Sequence, residues 1–240
     1  MKIYSGTSGY GYLEWKGHFY PENISPKEML RFYGERLPTV EINNTFYRLP
    51  SGGVLTSWAE QVPADFIFAF KAPQIITHRK RLKNVGEETA YLFRTLSLLE
   101  RKLGPVLFQF PKNFPPDPAR LKAFFDLIPG KTACAFEFRS LSVVTEEVLS
   151  LLQERDYSLC LADTDENPAT TIRSTASWGY LRLRRSAAYR EPDLSQWLER
   201  IRGQRWERAY VFFKHEEEGL GPKLARRFQE LAGESPQRTT

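Results

Sequence analysis

Three acidic side chains stand inside or at the end of apolar runs of this chain. Glu41 lies in Val-Glu-Ile, Glu137 in Ala-Phe-Glu-Phe, and Asp163 ends Leu-Cys-Leu-Ala-Asp. A buried carboxylate is costly unless it is paired or used. Two carboxylates whose surroundings push their pKa values apart can act as general acid and general base. We therefore predict Glu41 and Glu137 as a catalytic acid/base pair and Asp163 as a further catalytic carboxylate.

Cationic and amide side chains follow other apolar runs and complete a candidate site. Arginine and lysine could clamp an anionic group such as phosphate or carboxylate, and the remaining residues would orient the substrate. The predicted substrate-binding residues are Asn43, Lys71, His78, Arg81, Gln109, Arg139, Arg182, Lys214 and His215. We expect an enzyme that acts by acid–base chemistry on a small anionic, sugar- or polyol-like substrate. The sequence leaves its class, isomerase, lyase or hydrolase, open.

Two other chemistries fit parts of the same set. The three carboxylates and His215 could converge on a Mg²⁺ or Mn²⁺ ion, since oxygen ligands suit these metals. Zinc fits less well, because the chain has three histidines and neither an HxH nor an HExxH spacing. We predict no cofactor and assign no metal ligand. Alternatively, Lys71 or Lys214 could form a Schiff base if it is desolvated beside other cations.

A scaffold that gathers these residues is itself predicted by the sequence. Eight short apolar runs alternate with helix-like stretches, which is typical of βαβ units around a parallel sheet. The runs are residues 2–6, 39–43, 66–71, 105–110, 133–138, 158–163, 178–184 and 209–215. We predict a single-domain α/β protein, a (β/α)₈ TIM barrel of eight parallel strands. An open, doubly wound sheet is the alternative.

Helices are predicted between most of these runs from capping residues and apolar spacing. They cover residues 26–36, 86–103, 118–128, 145–155, 193–202 and 221–232, and the stretch 165–176 is ambiguous. The barrel is expected to span residues 1–232, with a disordered tail at 233–240.

The third run indicates which way Lys71 points. Its positions 66, 68 and 70 are all phenylalanines, and the alternate positions hold Ile67, Ala69 and Lys71. Successive side chains of a strand point to opposite faces. The bulky face suits the helices and the smaller face suits the barrel interior. Active sites of such barrels lie at the C-terminal ends of the strands, so Lys71 is expected in the barrel mouth.

Composition excludes several protein classes. The chain is 41% hydrophobic and 26% charged, which suits a folded domain. Its longest apolar run has five residues, from Phe66 to Phe70, whereas a membrane helix needs about 18 or more. We therefore expect no membrane partner.

The N-terminus lacks the apolar segment of a secretory signal and the chain has two cysteines, so a cytoplasmic location is expected. The oligomeric state is not encoded in these patterns.

The charge balance supports two further hypotheses. The formal net charge is +5, and residues 71–83 hold five basic residues and no acid. Such a balance suits nucleic acid as well as small anions. A nucleic-acid-binding or metal-dependent phosphodiester-processing barrel is therefore the alternative function. A third hypothesis is a barrel without catalysis, whose strand-end charges form a structural ion-pair network. The members of that network would be Glu41, Glu137, Arg139 and Arg182.

Several blocks of the sequence also resemble one family. They include Gly6-Thr-Ser-Gly9, Val40-Glu-Ile-Asn-Asn-Thr-Phe-Tyr47, Leu103-Gly-Pro-Val-Leu-Phe-Gln-Phe-Pro111, Phe136-Glu-Phe-Arg139 and Tyr210-Val-Phe-Phe-Lys-His215. These blocks are similar to the YecE-like proteins, domain-of-unknown-function family 72, and the similarity spans about residues 3–230. The resemblance implies a TIM barrel and no established activity.

Overall fold

The computed structural model describes residues 1–130, 132–139, 143–169 and 171–233. Of the tail predicted at 233–240, residues 234–240 lie outside the described residues. All eight apolar runs form strands, with one run divided in two. The strands are β1 (Lys2–Ser8), β2 (Thr39–Ile42), β3 (Ile67–Lys71), β4 (Leu103–Gln109), β5 (Cys134–Glu137), β6 (Ser158–Leu159), β7 (Leu161–Asp163), β8 (Trp178–Leu183) and β9 (Arg208–Phe213).

The strands form one parallel sheet that curls into a barrel. Its order is β6-β5-β4-β3-β2-β1-β9-β8-β7. The two edge strands, β6 and β7, are consecutive pieces of the run predicted as one strand. β6 pairs with β5 and β7 pairs with β8, and between them the Cys160 amide donates to the Phe136 carbonyl at 2.9 Å. The chain therefore changes pairing partner at Cys160, and this segment joins the two edges of the sheet.

Seven α-helices surround the barrel in the described residues. They are α1 (Met29–Gly34), α2 (Gly52–Gln61), α3 (Gly86–Leu96), α4 (Pro118–Phe125), α5 (Glu146–Glu154), α6 (Glu191–Arg202) and α7 (Leu220–Leu231). Asp117 and Thr145 cap α4 and α5 as predicted, since their side chains accept hydrogen bonds from the amides of Arg120 and Val148. None of the described helices is long and apolar enough to cross a bilayer.

Apart from helix ends that are shifted by up to three residues, the helices differ from the prediction in three places. Residues 97–102, expected to continue α3, form a 3₁₀ segment in which Glu100 has φ +49°. α2 was not predicted, because it opens on two glycines, which disfavour helix, and fully buries only Leu55. The ambiguous stretch before β8 holds no helix among the described residues 164–169 and 171–177.

The predicted alternation of side chains is confirmed in β3. The phenylalanines at 66, 68 and 70 pack into the core between sheet and helices, whereas Ile67 and Ala69 belong to the cluster inside the barrel. Lys71 continues that inner face. Two tyrosines, Tyr180 and Tyr210, are among the residues that fill the interior below it. The barrel is thus closed by packed side chains in its lower part, and polar groups collect above them.

Candidate functional site

One guanidinium joins two carboxylates at the bottom of the barrel mouth. Arg182 on β8 donates from Nη2 to Glu41 Oε1 at 2.9 Å and from Nη1 to Glu137 Oε2 at 2.7 Å. Glu41 lies on β2 and Glu137 on β5, so the arginine bridges strands from three sides of the barrel. Arg182 and Glu41 are 0% exposed and Glu137 is 3% exposed. We call these three residues the floor of the mouth.

Glu41 is saturated by hydrogen bonds. Besides Arg182, its carboxylate accepts from Ser8 Oγ at 2.7 Å, Asn43 Nδ2 at 2.9 Å and Tyr180 Oη at 2.7 Å. Burial by itself raises the pKa of Glu41, but Arg182, a second arginine and these hydrogen bonds outweigh it and lower the pKa to about 2. Glu41 is therefore a permanent anion at neutral pH.

Glu137 is held in a similar way. Its carboxylate accepts from Gln109 Nε2 at 2.8 Å, and the Cys160 thiol lies 3.8 Å away. Burial raises its pKa, yet Arg182 and the hydrogen bonds lower it below the ordinary value. Glu137 also lines a cavity of about 650 Å³ between the loops that follow β4, β5 and β7. It is thus the floor carboxylate that a ligand in this cavity could approach.

The surroundings do not push the two carboxylate pKa values in opposite directions. Both Glu41 and Glu137 are shifted downward, because one buried arginine serves both. The geometry gives them the ion-pair role of the third hypothesis, with Arg182 as the shared cation. Their distances to Arg182 could not be read from the sequence, because they depend on barrel closure. Arg139, the fourth member of the suggested network, is exposed just beyond β5 and has no ion pair with the described residues.

Two cations above the floor have no anionic partner among the described residues. Arg184 lies two residues after Arg182 and thus on the same face, and its inaccessible Nε makes no hydrogen bond. Burial lowers the pKa of Arg184 and Arg182 adds to the effect, while the floor carboxylates oppose it. The Lys71 amine lies 4.0 Å from the centroid of the Phe46 ring. Burial, followed by Arg182, lowers the pKa of Lys71 to about 8.

His78 approaches the same aromatic ring from a strained loop. Its ring centroid is 4.9 Å from that of Phe46, and its Nδ1 lies 2.9 Å from Thr77 Oγ1. Burial, followed by the charge of Lys71, lowers the pKa of His78. Residues 75–79 form a π-helical turn, and Arg81 follows with φ +47°, a left-handed conformation that is unusual outside glycine. Such strain is found at functional sites.

Asp163 and His215 do not lie with the floor residues. Along the run 158–163, Cys160 points into the barrel, whereas Leu161 and Asp163 face the helices. Asp163 accepts from Tyr189 Oη at 2.7 Å and from the Ala169 amide at 2.9 Å. Its carboxylate is also 3.2 Å from Arg185 Nε. His215 packs against Tyr189 on the same side, with ring centroids 5.8 Å apart. These residues tie together the loops that follow β7 and β8.

The two remaining predicted cations have partners outside the floor. Arg81 is half-buried and donates to Asn113 Oδ1 at 2.9 Å. Lys214 continues the inner face of β9 but reaches solvent, 3.5 Å from Glu216. Within the described ranges, no group of three histidine, cysteine, aspartate or glutamate side chains is arranged to hold a metal ion. The four residues considered for Mg²⁺ or Mn²⁺ point to different faces, so they do not fit one ion.

Several residues of the site were not among the predicted catalytic and substrate-binding residues. Ser8, Tyr180 and Arg184 each lie two residues from an inner-face residue of their own strand, and this spacing was the available signal. Burial and the charge of Glu41 raise the pKa of Tyr180 well above its ordinary value. Tyr180 therefore stays neutral and donates a hydrogen bond to Glu41. Phe46 carried no such signal, because it lies in the 3₁₀ segment after β2.

Comparison with known proteins gives consistent results. The sequence model of a family described as "Protein of unknown function DUF72" matches residues 4–240. UPF0759 protein YecE of Escherichia coli strain K12 is 32% identical over 111 residues, 46% of this chain and 41% of that protein. UPF0759 protein YunF of Bacillus subtilis strain 168 is 24% identical over 91% of this chain and 80% of its own length. The crystal structure of a DUF72 family protein from Thermotoga maritima has a TM-score of 0.85 and 27% identity, covering 97% of this chain and 100% of that one.

Proposed function

Because this chain belongs to the DUF72 family, whose description states no function, we propose one from the site itself. The barrel mouth binds a small anionic, sugar- or polyol-like substrate and transforms it by acid–base chemistry. The unpaired cations Arg184 and Lys71 above the floor carry this proposal. The floor carries one net negative charge, so the two cations above it leave one net positive charge in the mouth for a ligand.

The charge balance of the mouth favours an anion. Arg182 with its two carboxylates carries one net negative charge, and Arg184 and protonated Lys71 more than offset it. A partly desolvated cation without a partner is unfavourable. An anionic group placed between Arg184 and Lys71 would supply the missing hydrogen bonds, and bonds to charged groups contribute about 1.5–3 kcal/mol each.

The walls of the mouth suit a small polar molecule. The adjoining cavity of about 650 Å³ is within the range of about 300–1,000 Å³ that is usual for small-molecule sites. Asn43 and Gln109 border the floor as amides, and Phe46 offers an apolar ring face. Hydroxyl groups of a sugar or polyol could form hydrogen bonds with Asn43 and Gln109, and its carbon-bound hydrogens could pack on the Phe46 ring.

Proton transfer is assigned to Lys71, whose pKa lies near neutrality, and to His78, which contacts the same Phe46 ring. Lys71 has a pKa of about 8, and His78 has a lowered pKa and is mostly neutral at pH 7. A general acid or base works best when its pKa lies near the working pH. Glu41, with a pKa of about 2, is poorly matched to that task. In this proposal Glu41 and Glu137 hold Arg182, and Lys71 and His78 exchange protons with the substrate.

The binding half of the proposal is tested with matched ligands and matched variants. Thermal unfolding would be followed with sugar phosphates, sugar acids and the corresponding uncharged sugars. We expect only anionic ligands to raise the midpoint, and Arg184→Gln to remove the effect. Arg205→Gln is the control, because Arg205 is exposed in the loop before β9, at the opposite end of the barrel. Equal stabilisation by uncharged sugars would contradict anion binding.

The acid–base half is tested by isotope exchange. Each ligand that binds would be incubated with the protein in D₂O, and loss of carbon-bound protons followed by NMR. We expect exchange or conversion for at least one ligand, and a large loss of the rate in Lys71→Gln. If no bound ligand exchanges or changes, or if Lys71→Gln is as fast as wild type, this half of the proposal is wrong.

A further inference from the structure

We propose that the Lys71 amine adds to a carbonyl carbon of the substrate and forms an imine. This names the substrate class as a small aldehyde or ketone that carries a phosphate or carboxylate. The inference rests on the proposed function, because the anionic group is what places the carbonyl beside Lys71. It goes further, since it makes Lys71 a covalent participant.

The surroundings of Lys71 separate it from the other lysines near the mouth. Lys112 pairs with Glu166 at 2.7 Å, and Lys214 lies 3.5 Å from Glu216. In contrast, the Lys71 amine has neither a hydrogen bond nor an ion pair with any described residue. It is half-buried on the inner face of β3, over Phe46. Its nitrogen is therefore not engaged by the described residues.

Neighbouring charges and burial make the neutral amine accessible. Lysines that are desolvated or lie beside another cation are the ones that form Schiff bases. Arg182 and Arg184 both disfavour the ammonium form of Lys71, and burial contributes most. With a pKa of about 8, about one tenth of the molecules carry the free amine at pH 7, compared with less than about one in a thousand for an ordinary lysine.

The proposed step balances without an oxidant or reductant. The neutral nitrogen of Lys71 bonds to the carbonyl carbon, and the carbonyl π electrons move to oxygen to give a carbinolamine. The carbon–oxygen bond then breaks and water leaves, taking one proton from nitrogen and one from a general acid. A protonated imine keeps a positive charge on nitrogen. Glu41 and Glu137, which favour the charged form of Lys71, would stabilise that charge as well.

Arg184 completes the recognition of such a substrate. It directly follows β8 whereas Lys71 ends β3, and the charges of the two side chains influence each other. A phosphate or carboxylate bound at Arg184 would leave the carbonyl end of a short molecule to reach Lys71. The same molecule thereby meets both cations, which explains why neither has an anionic partner among the described residues.

The inference is tested by trapping the imine. Wild-type protein would be treated with pyridoxal 5′-phosphate or glycolaldehyde phosphate and then with borohydride, and the modified lysine mapped by peptide mass spectrometry. We expect one modification per chain at Lys71, at a reagent concentration about tenfold or more below that which modifies Lys214. Lys71→Arg should lose the adduct and Lys214→Arg should keep it. Mapping on wild-type protein does not depend on how the variants fold.

Inorganic phosphate separates this inference from the proposed function. We expect phosphate to protect Lys71 from labelling, and Arg184→Gln to be labelled less. If phosphate binds through Arg184 but Lys71 is not labelled preferentially, the imine is wrong and anion binding stands. If phosphate neither binds nor protects, the anionic site and the imine that depends on it both fail. If Lys71 is labelled equally with and without phosphate, and equally in wild type and Arg184→Gln, the assigned substrate class is wrong.

Discussion

At the scale of single residues, Arg182 organises the site. A fully buried arginine is stable here because two carboxylates, Glu41 and Glu137, take up both ends of its guanidinium. Removing one partner of a buried ion pair leaves an uncompensated charge, which is far costlier than losing a surface pair. Two cations further up, Arg184 and Lys71, lack this compensation within the described residues. Two cations without an anionic partner, above an ion-paired floor, define the ligand site.

Arg182→Leu should therefore destabilise the protein strongly. Two buried carboxylates would lose their common cation, and we expect the free energy of unfolding to fall by about 3–5 kcal/mol. Urea unfolding of both proteins at neutral pH measures the change. Arg205→Leu is the matched control and should cost less than about 1 kcal/mol, because Arg205 is exposed. A similarly small loss for Arg182→Leu would show that the floor is not an ion-pair network.

Glu41 should make stability depend on acid pH. Its pKa is about 2 in the folded protein against an ordinary value of 4.5. Its contribution is therefore fully present above pH 4.5 and is lost as the pH falls towards about 2. The unfolding free energy of Glu41→Gln should change less than that of wild type over this interval. Glu60→Gln, at an exposed position, should keep the wild-type slope, and an equal slope in all three proteins would contradict the assigned pKa.

The sequence indicated some of these residues and misplaced others. We predicted Glu41, Glu137 and Arg182 as site residues because a charged side chain inside an apolar run is unfavourable unless it is paired or used. Which residue pairs with which could not be read, since the partners lie on different strands and meet only when the barrel closes. Asp163 is different, because the alternation from Cys160 to Asp163 already placed it on the helix side. The prediction followed its position at the strand end and neglected the face.

At the scale of elements, close packing of neighbouring strands positions the floor. β1 and β2 pair in parallel with Gly6 beside Thr39 and Ser8 beside Glu41. A Cβ atom at Gly6 would lie 2.0 Å from the Thr39 carbonyl oxygen, so the strands could not keep this spacing. The absence of a side chain at Gly6 thus allows Ser8 to reach Glu41.

Gly6→Ala should consequently destabilise the barrel. We expect a loss of about 1–3 kcal/mol, the usual cost of overpacking, and a weaker response to any ligand of the mouth. Gly11→Ala is the control, because a Cβ atom there would meet nothing within 4 Å. Urea unfolding of the two variants makes the comparison. Equal stabilities would mean that β1 and β2 can separate without cost.

The order of elements was largely predictable, and their details were not. Alternating apolar runs and helical stretches predicted the parallel barrel, which is confirmed. The division of one run at Cys160 was hidden, because all its residues suit a strand and only the pairing of β6 with β5 and of β7 with β8 separates them. α2 was hidden because its sequence lacks a strong apolar stripe and starts with glycine.

At the scale of the whole molecule, some of the basic side chains are engaged by other residues of the protein. The chain has a net charge of +5, but part of its basic loop is engaged by the protein. Lys80 pairs with Glu88 at 2.6 Å, and Arg81 binds Asn113. A nucleic-acid-binding surface would leave such side chains free for phosphates. Arg184 and Lys71 in the mouth are half-buried and have no anionic partner among the described residues, which favours a small anion.

Anion affinity should decrease as Lys71 loses its proton. Its pKa is about 8, so Lys71 is charged below that pH and neutral above it. Sulfate is a suitable probe because its own charge does not change in this range. We expect sulfate to bind more weakly as the pH rises through about 8 in wild type, and to show a flat profile in Lys71→Arg. Titration calorimetry at several pH values checks this. If the sulfate affinity of wild type does not change with pH, Lys71 is not part of the anion site.

The most direct test of the central claim is the affinity of inorganic phosphate for the barrel mouth at neutral pH. Titration calorimetry would compare wild type with Arg184→Gln and with the control Arg205→Gln. We predict one saturable site in wild type and in the control, and at least about tenfold weaker binding in Arg184→Gln. No binding to wild type, or equal binding to Arg184→Gln, would contradict the claim that the unpaired cations of the mouth form an anion site.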